Sequence, residues 1–177
     1  GIEVVSGNPA SATHTYADGT TNYTISATAT DEDGTYAAAN TVAVMVLNVA
    51  PTLAISGASS ENEGSLYTLS LSSSDPGADT ISQWTIDWGD GIEVVSGNPA
   101  SATHVYADGN VGSNYTITAT ATDEDGTHAA GNTVSVTVVN LPPTADAGGP
   151  YQTFDDTPIT LTGTGADPAG AADPLTY

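Results

Sequence analysis

Apolar and polar residues alternate along much of the chain in short runs. The clearest runs lie at residues 67–71, 84–88, 115–121 and 134–138, where apolar side chains occupy every second position. A period of two residues is typical of β-strands that have one buried and one solvated face. Clusters of Gly, Pro, Asp and Asn separate the runs, and no helical stretch of useful length occurs. The pattern predicts an all-β fold.

The pattern also repeats, with copies about 90 residues apart. Residues 1–14, GIEVVSGNPASATH, return unchanged at 91–104, and after two extra residues in the second copy 27–35 matches 119–127. Such a period indicates an array of similar domains, not one large domain. We therefore predict three segments: the C-terminal half of one domain (1–48), a complete domain (49–140) and the N-terminal half of the next domain (141–177).

Each period has room for about seven short strands, and Trp84 and Trp88 fall on the third of them. Short strands with turn clusters between them and a buried aromatic on the third strand are typical of immunoglobulin-like sandwiches. The sequence predicts tandem immunoglobulin-like β-sandwiches. Together with Tyr106 and Tyr115, the two tryptophans are the predicted structural core.

Three motifs of the complete domain resemble the polycystic kidney disease (PKD) repeat family. They are Trp84-Thr-Ile-Asp-Trp-Gly-Asp-Gly91, His104-Val-Tyr106 and Tyr115-Thr-Ile-Thr-Ala-Thr-Ala-Thr-Asp123. The family pattern is a Trp-Asp-Phe-Gly-Asp-Gly-like strand and turn, a His-x-Tyr step and a Tyr-x-(Val/Ile) strand that ends in Asp. Trp88 stands where the family usually has Phe. The resemblance implies a β-sandwich used in tandem as an extracellular or cell-surface spacer, adhesive or binding module, usually non-catalytic.

The charge of the chain is unusual, because 21 Asp and Glu residues and no Lys or Arg give a net charge of −21. Phosphate backbones are repelled by such a chain, which excludes nucleic-acid binding. No apolar run is long enough to predict a transmembrane helix. The carboxylates have no basic partner except histidine, so they must be solvated, hydrogen-bonded or bound to cations. The lack of cysteine excludes disulfides and thiolate metal sites.

Acidic loops concentrate at the two ends of the predicted sandwich, and these ends would face each other in a tandem array. Calcium prefers six to eight oxygen ligands of the kind that these loops offer. We therefore predict calcium at the junctions, with ligands among Asp31, Asp33, Asn48, Glu61, Glu63, Asp75, Asp79, Asp108, Asp123, Asp125, Asn140, Asp167 and Asp173. The alternative is that these residues only stabilise turns that face solvent.

The chain has no motif of a known catalytic site, such as Gly-x-Ser-x-Gly, His-Glu-x-x-His or a phosphate-binding loop. His14 and His104 hold equivalent positions before a strand tyrosine, which is typical of a core or hydrogen-bonded histidine. We predict that the protein is not an enzyme. Asn22 and Asn114 begin equivalent Asn-Tyr-Thr sequences and are candidate glycosylation sites.

The function predicted from these observations is structural. The chain would be a segment of an extracellular fibre, stalk or surface-layer polymer, with neighbouring repeats or copies of itself as partners. An adhesin and a carbohydrate- or matrix-binding module of a larger secreted protein are the alternatives. Because Tyr177 aligns with Trp84, the two half-domains are complementary. We expect a window of a longer chain, and the alternative is a subunit that polymerises by donating strands.

Overall fold

The computed structural model describes residues 1–109 and 114–176, which contain β-strands and no helix. In chain order the strands are β1 (Thr21–Ile25), β2 (Thr28–Thr30), β3 (Thr35–Ala37), β4 (Val42–Val46), β5 (Thr52–Ser56), β6 (Ser60–Asn62), β7 (Leu66–Ser74), β8 (Gln83–Asp87), β9 (Ile92–Ser96), β10 (Ser101–Val105), β11 (Asn114–Thr122), β12 (Thr127–Ala129), β13 (Val134–Val139), β14 (Thr144–Asp146) and β15 (Thr164–Ala166). They belong to two compact units. The first unit comprises residues 1–51 and 75–80, and the second comprises 52–74 and the chain from residue 81 onward.

The second unit contains a complete two-sheet sandwich. One sheet has the strand order β10-β7-β5, and the other has the order β6-β13-β11-β8-β9, with β12 also paired to β11. All these pairs are antiparallel except β6 with β13, which is parallel. The chain therefore changes sheets between β5 and β6. This architecture confirms the predicted immunoglobulin-like sandwich; its first and last strands are each divided into two segments.

The core of the sandwich follows the predicted alternation. Its buried side chains come from every second position of the main strands: Leu53, Ile55, Tyr67, Leu69, Leu71, Trp84, Ile86, Trp88, Ile117, Ala119, Ala121, Val136 and Val138. Tyr106 is also buried, and Tyr115 is partly buried against the same cluster. Since apolar burial is the main driving force of folding, this alternation is enough to fix which face of each strand points inward.

Buried polar atoms of the aromatic residues find partners inside the sandwich. The Trp84 indole Nε1 donates to Asn98 Oδ1 at 3.0 Å, and the Tyr67 hydroxyl donates to the carbonyl of Ala58 at 2.8 Å. The Tyr106 hydroxyl is buried, and burial raises its pKa well above the ordinary value of tyrosine. It therefore stays protonated and able to donate.

The first unit contains a smaller set of strands with the same pairing as part of the sandwich. β1 pairs with β4, and β2 pairs with β3, both antiparallel. Tyr23 lies opposite Val44, as Tyr115 lies opposite Val136 in the second unit. These strand pairs of the two copies therefore have the same register, whereas the identical residues 1–14 and 91–104 differ, since 92–96 and 101–105 form strands and 1–14 contain none.

Residues beyond the sandwich in the second unit repeat its first strand pair. β14 pairs with β15 so that Thr144 lies opposite Ala166, and β5 pairs with β7 so that Thr52 lies opposite Ser74. The extra residues of the second copy and Tyr177 lie outside the described residues. No helix long and apolar enough to cross a membrane is present in the described part of the chain.

Candidate functional site

The acidic turns after β2 and β11 have the same geometry. Asp31 Oδ1 accepts hydrogen bonds from the backbone amides of Asp33 and of the next residue, each at 3.0 Å. Asp123 Oδ1 accepts from Asp125 at 3.0 Å and from the following amide at 2.9 Å. The structure thus places the predicted calcium ligands Asp31 and Asp33 in one turn, and Asp123 and Asp125 in the other. In both turns, one carboxylate oxygen is used to hold the turn itself.

Asp123 differs from Asp31 because it is buried and has a histidine beside it. Its Oδ2 lies 3.2 Å from Nε2 of His128, and its side chain is fully shielded from solvent. Burial alone would raise the pKa of Asp123. The amides of Gly126 and Asp125 and the His128 ring outweigh that effect and hold the pKa below the ordinary value. Asp123 is therefore a buried anion at neutral pH.

Replacement of Asp123 by asparagine should destabilise the protein at neutral pH by about 1–3 kcal/mol, because hydrogen bonds to a charged acceptor are lost. The folded-state pKa is depressed, so the carboxylate contributes stability above the ordinary value of about 3.9. That contribution is lost as the pH falls through the folded-state pKa. Thermal unfolding from pH 7 to pH 2 should show the difference between Asp123→Asn and the wild type shrinking below about pH 4.

Glu124→Gln is the matched control, because it removes one charge at an exposed position of the same turn. It should leave stability within about 0.5 kcal/mol of the wild type. A difference between Asp123→Asn and the wild type that stays constant over the whole pH range would contradict the assignment of Asp123 as a stabilising anion.

Glu63 lies at the other end of the sandwich and is only 1% exposed. Its Oε2 accepts from the amide of Gly109 at 2.8 Å, and its Oε1 accepts from the amide of Leu141 at 2.7 Å. The side-chain nitrogen of Asn140, oriented toward Glu63, lies 3.2 Å from both carboxylate oxygens. The structure brings together two predicted ligands, Glu63 and Asn140, but backbone donors occupy both oxygens of the carboxylate. Sequence reasoning missed this internal role.

Gly109 and its repeat equivalent Gly19 allow the chain to pass close to the segment that follows the last strand. A Cβ atom on Gly109 would lie 2.8 Å from the amide nitrogen of Asn140, and one on Gly19 would lie 2.6 Å from that of Asn48. Only glycine fits this approach. The same close contact occurs in both units, at predicted ligands Asn48 and Asn140.

A second group of carboxylates lies in the first unit. Asp75 Oδ1 accepts from the amide of Gly77, and its Oδ2 is buried without a hydrogen-bond partner. A carboxylate oxygen of Asp79 lies within 4.8 Å of one of Asp18. Asp18 was not among the predicted ligands, although its repeat equivalent Asp108 was. The repeat alignment was the signal that could have identified it.

Asn48 lies near Asp18 in the same unit. Both residues line a cavity of about 170 Å³, together with Tyr16, Ala17, Gly19, Val46, Leu47, Val49, Pro76 and Gly77. The loop of residues 75–80 also bonds to this region, because the amide of Ala78 donates to the carbonyl of Ala17 at 2.8 Å. The predicted ligands Asn48, Asp75 and Asp79 thus belong to one compact unit.

Asp167 repeats the geometry of Asp75 in the second unit. Its Oδ1 accepts from the amide of Ala169 at 2.8 Å, and its Oδ2 is buried without a hydrogen-bond partner. Glu61, Asp108 and Asp173 are half-buried. Within this unit, no three described Asp, Glu or His side chains converge on one point. The predicted ligands of the second unit are therefore spread over separate loops.

The two candidate glycosylation residues are exposed. Asn22 lies in β1, and Asn114 begins β11, where its Oδ1 accepts from the Thr137 hydroxyl at 2.6 Å. Both positions leave the side chain on the surface, so modification remains a prediction for each.

The sequence profile of the PKD domain matches residues 48–138, which is more than half of the chain and spans the complete sandwich. The chain belongs to the PKD domain family. No curated protein matches it significantly. PKD domains are a non-catalytic immunoglobulin-like fold, and they typically occur in extracellular proteins as structural or adhesion-type modules.

The residues of the PKD motif form one aromatic cluster in this sandwich. The His104 ring stacks on Trp88 at 4.8 Å between centroids, and its Nε2 lies 3.0 Å from Asp90 Oδ2. The Tyr106 hydroxyl donates to the carbonyl of Trp88 at 3.0 Å. The cluster links the turn after β8 to the end of β10. His104 is therefore the hydrogen-bonded structural histidine that its sequence position predicts.

Proposed function

We propose that the chain is a structural segment of an extracellular fibre, stalk or surface-layer polymer, built from tandem PKD-type sandwiches and stiffened by calcium at the junctions between them. The tandem part rests on the sequence repeat and on the equal registers of its copies. Tyr23 pairs with Val44 as Tyr115 pairs with Val136. The two residues of each pair are separated by the same number of positions in the sequence.

One observation carries the calcium part of the proposal. Asp75 and Asp167 occupy equivalent positions, and each uses Oδ1 to hold its own turn while Oδ2 is buried without a hydrogen-bond partner. Burying a charged oxygen without a partner is costly unless a cation or donor neutralises it. The chain has no Lys or Arg to do so. A hard divalent cation is the partner that such oxygens prefer.

Other oxygens are available around Asp75 in the first unit. The carboxylates of Asp18 and Asp79 approach each other, and Asn48 lines the same cavity as Asp18. Two carboxylates this close repel each other unless a cation lies between or beside them. A calcium ion shared by these groups would hold the loop of residues 75–80 against residues 16–19, and a stiff spacer needs such a restraint.

Calcium should raise the melting temperature of the chain by several degrees. Extracellular modules bind calcium with Kd of about 10⁻⁴–10⁻³ M. At 10 mM calcium, such affinities correspond to about 1–3 kcal/mol of stabilisation. Differential scanning calorimetry in calcium and in chelator measures the shift, and small-angle scattering shows whether calcium also makes the chain more rigid.

The controls separate specific binding from charge screening, because any salt reduces repulsion in a chain with a net charge of −21. Sodium chloride at matched ionic strength should give a smaller shift than calcium. The double variant Asp75→Asn, Asp167→Asn should lose the calcium response, whereas Asp155→Asn, at an exposed position, should keep it. Equal shifts in calcium and sodium, or scattering profiles that calcium does not change, would contradict the proposal.

A further inference from the structure

The 62–65 turn, which joins β6 to β7, contacts the segment after the sandwich at two points. Glu63 accepts a hydrogen bond from the amide of Leu141 at 2.7 Å. Gly64 lies against the backbone of Pro168: a Cβ atom on it would clash with the Pro168 carbonyl oxygen and lie 3.1 Å from the carbonyl carbon. All of these residues belong to the second unit. The turn thus holds both the start of this segment and a loop further along it.

The loop that meets Gly64 comprises residues 167–172 and begins with an Asp-Pro pair. Its residue Ala169 is 9% exposed, and it is the only buried residue in the described range 141–176. The neighbouring strands β14 and β15 bury no side chain. The one buried position of this segment is therefore next to the contact with the sandwich.

The equivalent Asp-Pro loop, residues 75–80, makes a similar contact in the first unit. The amide of Ala78 donates to the carbonyl of Ala17 at 2.8 Å, and Pro76 lines a cavity with Gly19. Ala17 and Gly19 are the repeat equivalents of residues 107 and 109, which lie near Glu63 in the sandwich. In both units, an Asp-Pro loop contacts the end of the preceding sequence repeat.

The turn at residues 154–157 repeats the backbone of the 62–65 turn. In each turn the last amide donates to the first carbonyl at 3.2 Å. Asp156 has a φ of 57°, and its equivalent Gly64 has a φ of 67°. The backbones agree, but Asp156 carries a side chain where glycine leaves room for the close approach of another chain segment.

The residue before it differs as well, since Asp155 stands where the sandwich has Glu63. Asp155 is one methylene shorter and exposed, whereas Glu63 is buried. We propose that Glu63 and Gly64 make the 62–65 turn a docking site for the Asp-Pro loop of the following repeat, and that a turn with Asp155 and Asp156 excludes such a loop. The two residues decide whether a junction between repeats is docked.

This inference rests on the tandem part of the proposed function and not on calcium, so the experiment is done in chelator on the 177-residue chain. Gly64→Asp gives the 62–65 turn the residue found at position 156, whose φ shows that aspartate tolerates this backbone. In the wild type, nuclear Overhauser contacts should join Gly64 to Pro168. The substitution should abolish contacts between residue 64 and Pro168, and exchange at the Ala169 amide should accelerate at least about tenfold as the loop loses its support.

Gly97→Asp is the matched control, because it adds the same charge at a glycine with a φ of 75°. No atom of the described residues lies within 4 Å of a Cβ placed on Gly97, so this variant has the same backbone strain without displacing a loop. Exchange at Ala169 should stay at the wild-type rate. Equal acceleration in both variants would overturn the inference, as would an unchanged rate in Gly64→Asp.

The wild-type contact keeps the test decisive even if Gly64→Asp fails to fold. Absence of Overhauser contacts between Gly64 and Pro168 in the wild-type chain would overturn the inference without any variant. The calcium response of the wild type is measured separately. A missing calcium response beside an intact Gly64–Pro168 contact contradicts only the calcium part of the proposed function, so the two failures are distinguished.

Discussion

Replacement of Trp88 by alanine should lower the free energy of unfolding by about 3–5 kcal/mol, the typical cost of truncating a large buried aromatic side chain. Trp88 is 1% exposed, and its ring stacks on His104 and meets the ring of Tyr67 edge-on at 6.3 Å. Its Nε1 donates to Glu93 Oε2 at 3.0 Å. Alanine would remove these contacts at once and leave a cavity between the two sheets.

Urea unfolding followed by far-ultraviolet circular dichroism measures this loss without relying on the indole that is removed. Trp88→Phe restores the residue usual in the family and keeps a ring for His104, but it loses part of the indole volume and the bond to Glu93, so it should cost about 1–3 kcal/mol, less than alanine. Ile92→Ala, at a side chain that is mostly exposed, should change stability by less than about 0.5 kcal/mol. A loss below 1 kcal/mol for Trp88→Ala would show that the aromatic cluster does not hold the sandwich together.

The main strands and the aromatic core could be predicted from the sequence. Apolar burial drives their formation, and it leaves an alternation of apolar and polar residues within each strand. Tyr67, Leu69 and Leu71 alternate with Ser and Thr, and one face of that strand is solvated, so the alternation itself identifies the buried side. The exact repeat between residues 1–14 and 91–104 did not carry the assignment to the other copy, because 92–96 and 101–105 form β9 and β10 whereas residues 1–14 contain no strand. β9 and β10 pair with β8 and β7, so identical residues form strands only where partner strands are present.

The change of sheet between β5 and β6 could not be predicted in this way. β5 alternates, but β6 consists of three polar residues, and its direction is set by its parallel pairing with β13, which lies far along the chain. Alternation identifies a strand and its buried face, but it does not identify the partner strand. The loop of residues 75–80 is a similar case, because its contact with Ala17 depends on tertiary structure.

The roles of individual carboxylates were the least predictable feature. Glu61 and Glu63 have the same spacing as alternate strand residues, yet one is half-buried and the other fully buried. The difference arises because Gly109 and Leu141, which follow much later in the chain, bring their amides to Glu63. An acidic residue is normally exposed, so composition alone favours a surface role. The burial of Glu63 could be recognised only once the fold was known.

Glu63→Gln should lower the free energy of unfolding by about 2–4 kcal/mol. The glutamine side chain has the same size, but it has only one acceptor oxygen for the two amides of Gly109 and Leu141. Its NH₂ group would face the other amide, and a buried donor left without an acceptor costs about 1–3 kcal/mol in addition to the loss of charge-assisted hydrogen bonds. The segment after β13 should loosen as a result, and exchange at the amide of Leu141 should accelerate.

Glu61→Gln is the matched control, because it is the same chemical change two residues earlier. In the described part of the chain, the Glu61 carboxylate makes one hydrogen bond. Its Oε1 accepts from the adjacent amide of Asn62. The control should therefore change stability by less than about 0.5 kcal/mol. Urea unfolding in chelator separates the two roles considered for Glu63, because a calcium ligand would contribute only when calcium is present. Full destabilisation in chelator is expected for an internal acceptor, and a Glu63→Gln variant that matches the wild type in chelator but not in calcium would assign Glu63 to the metal instead.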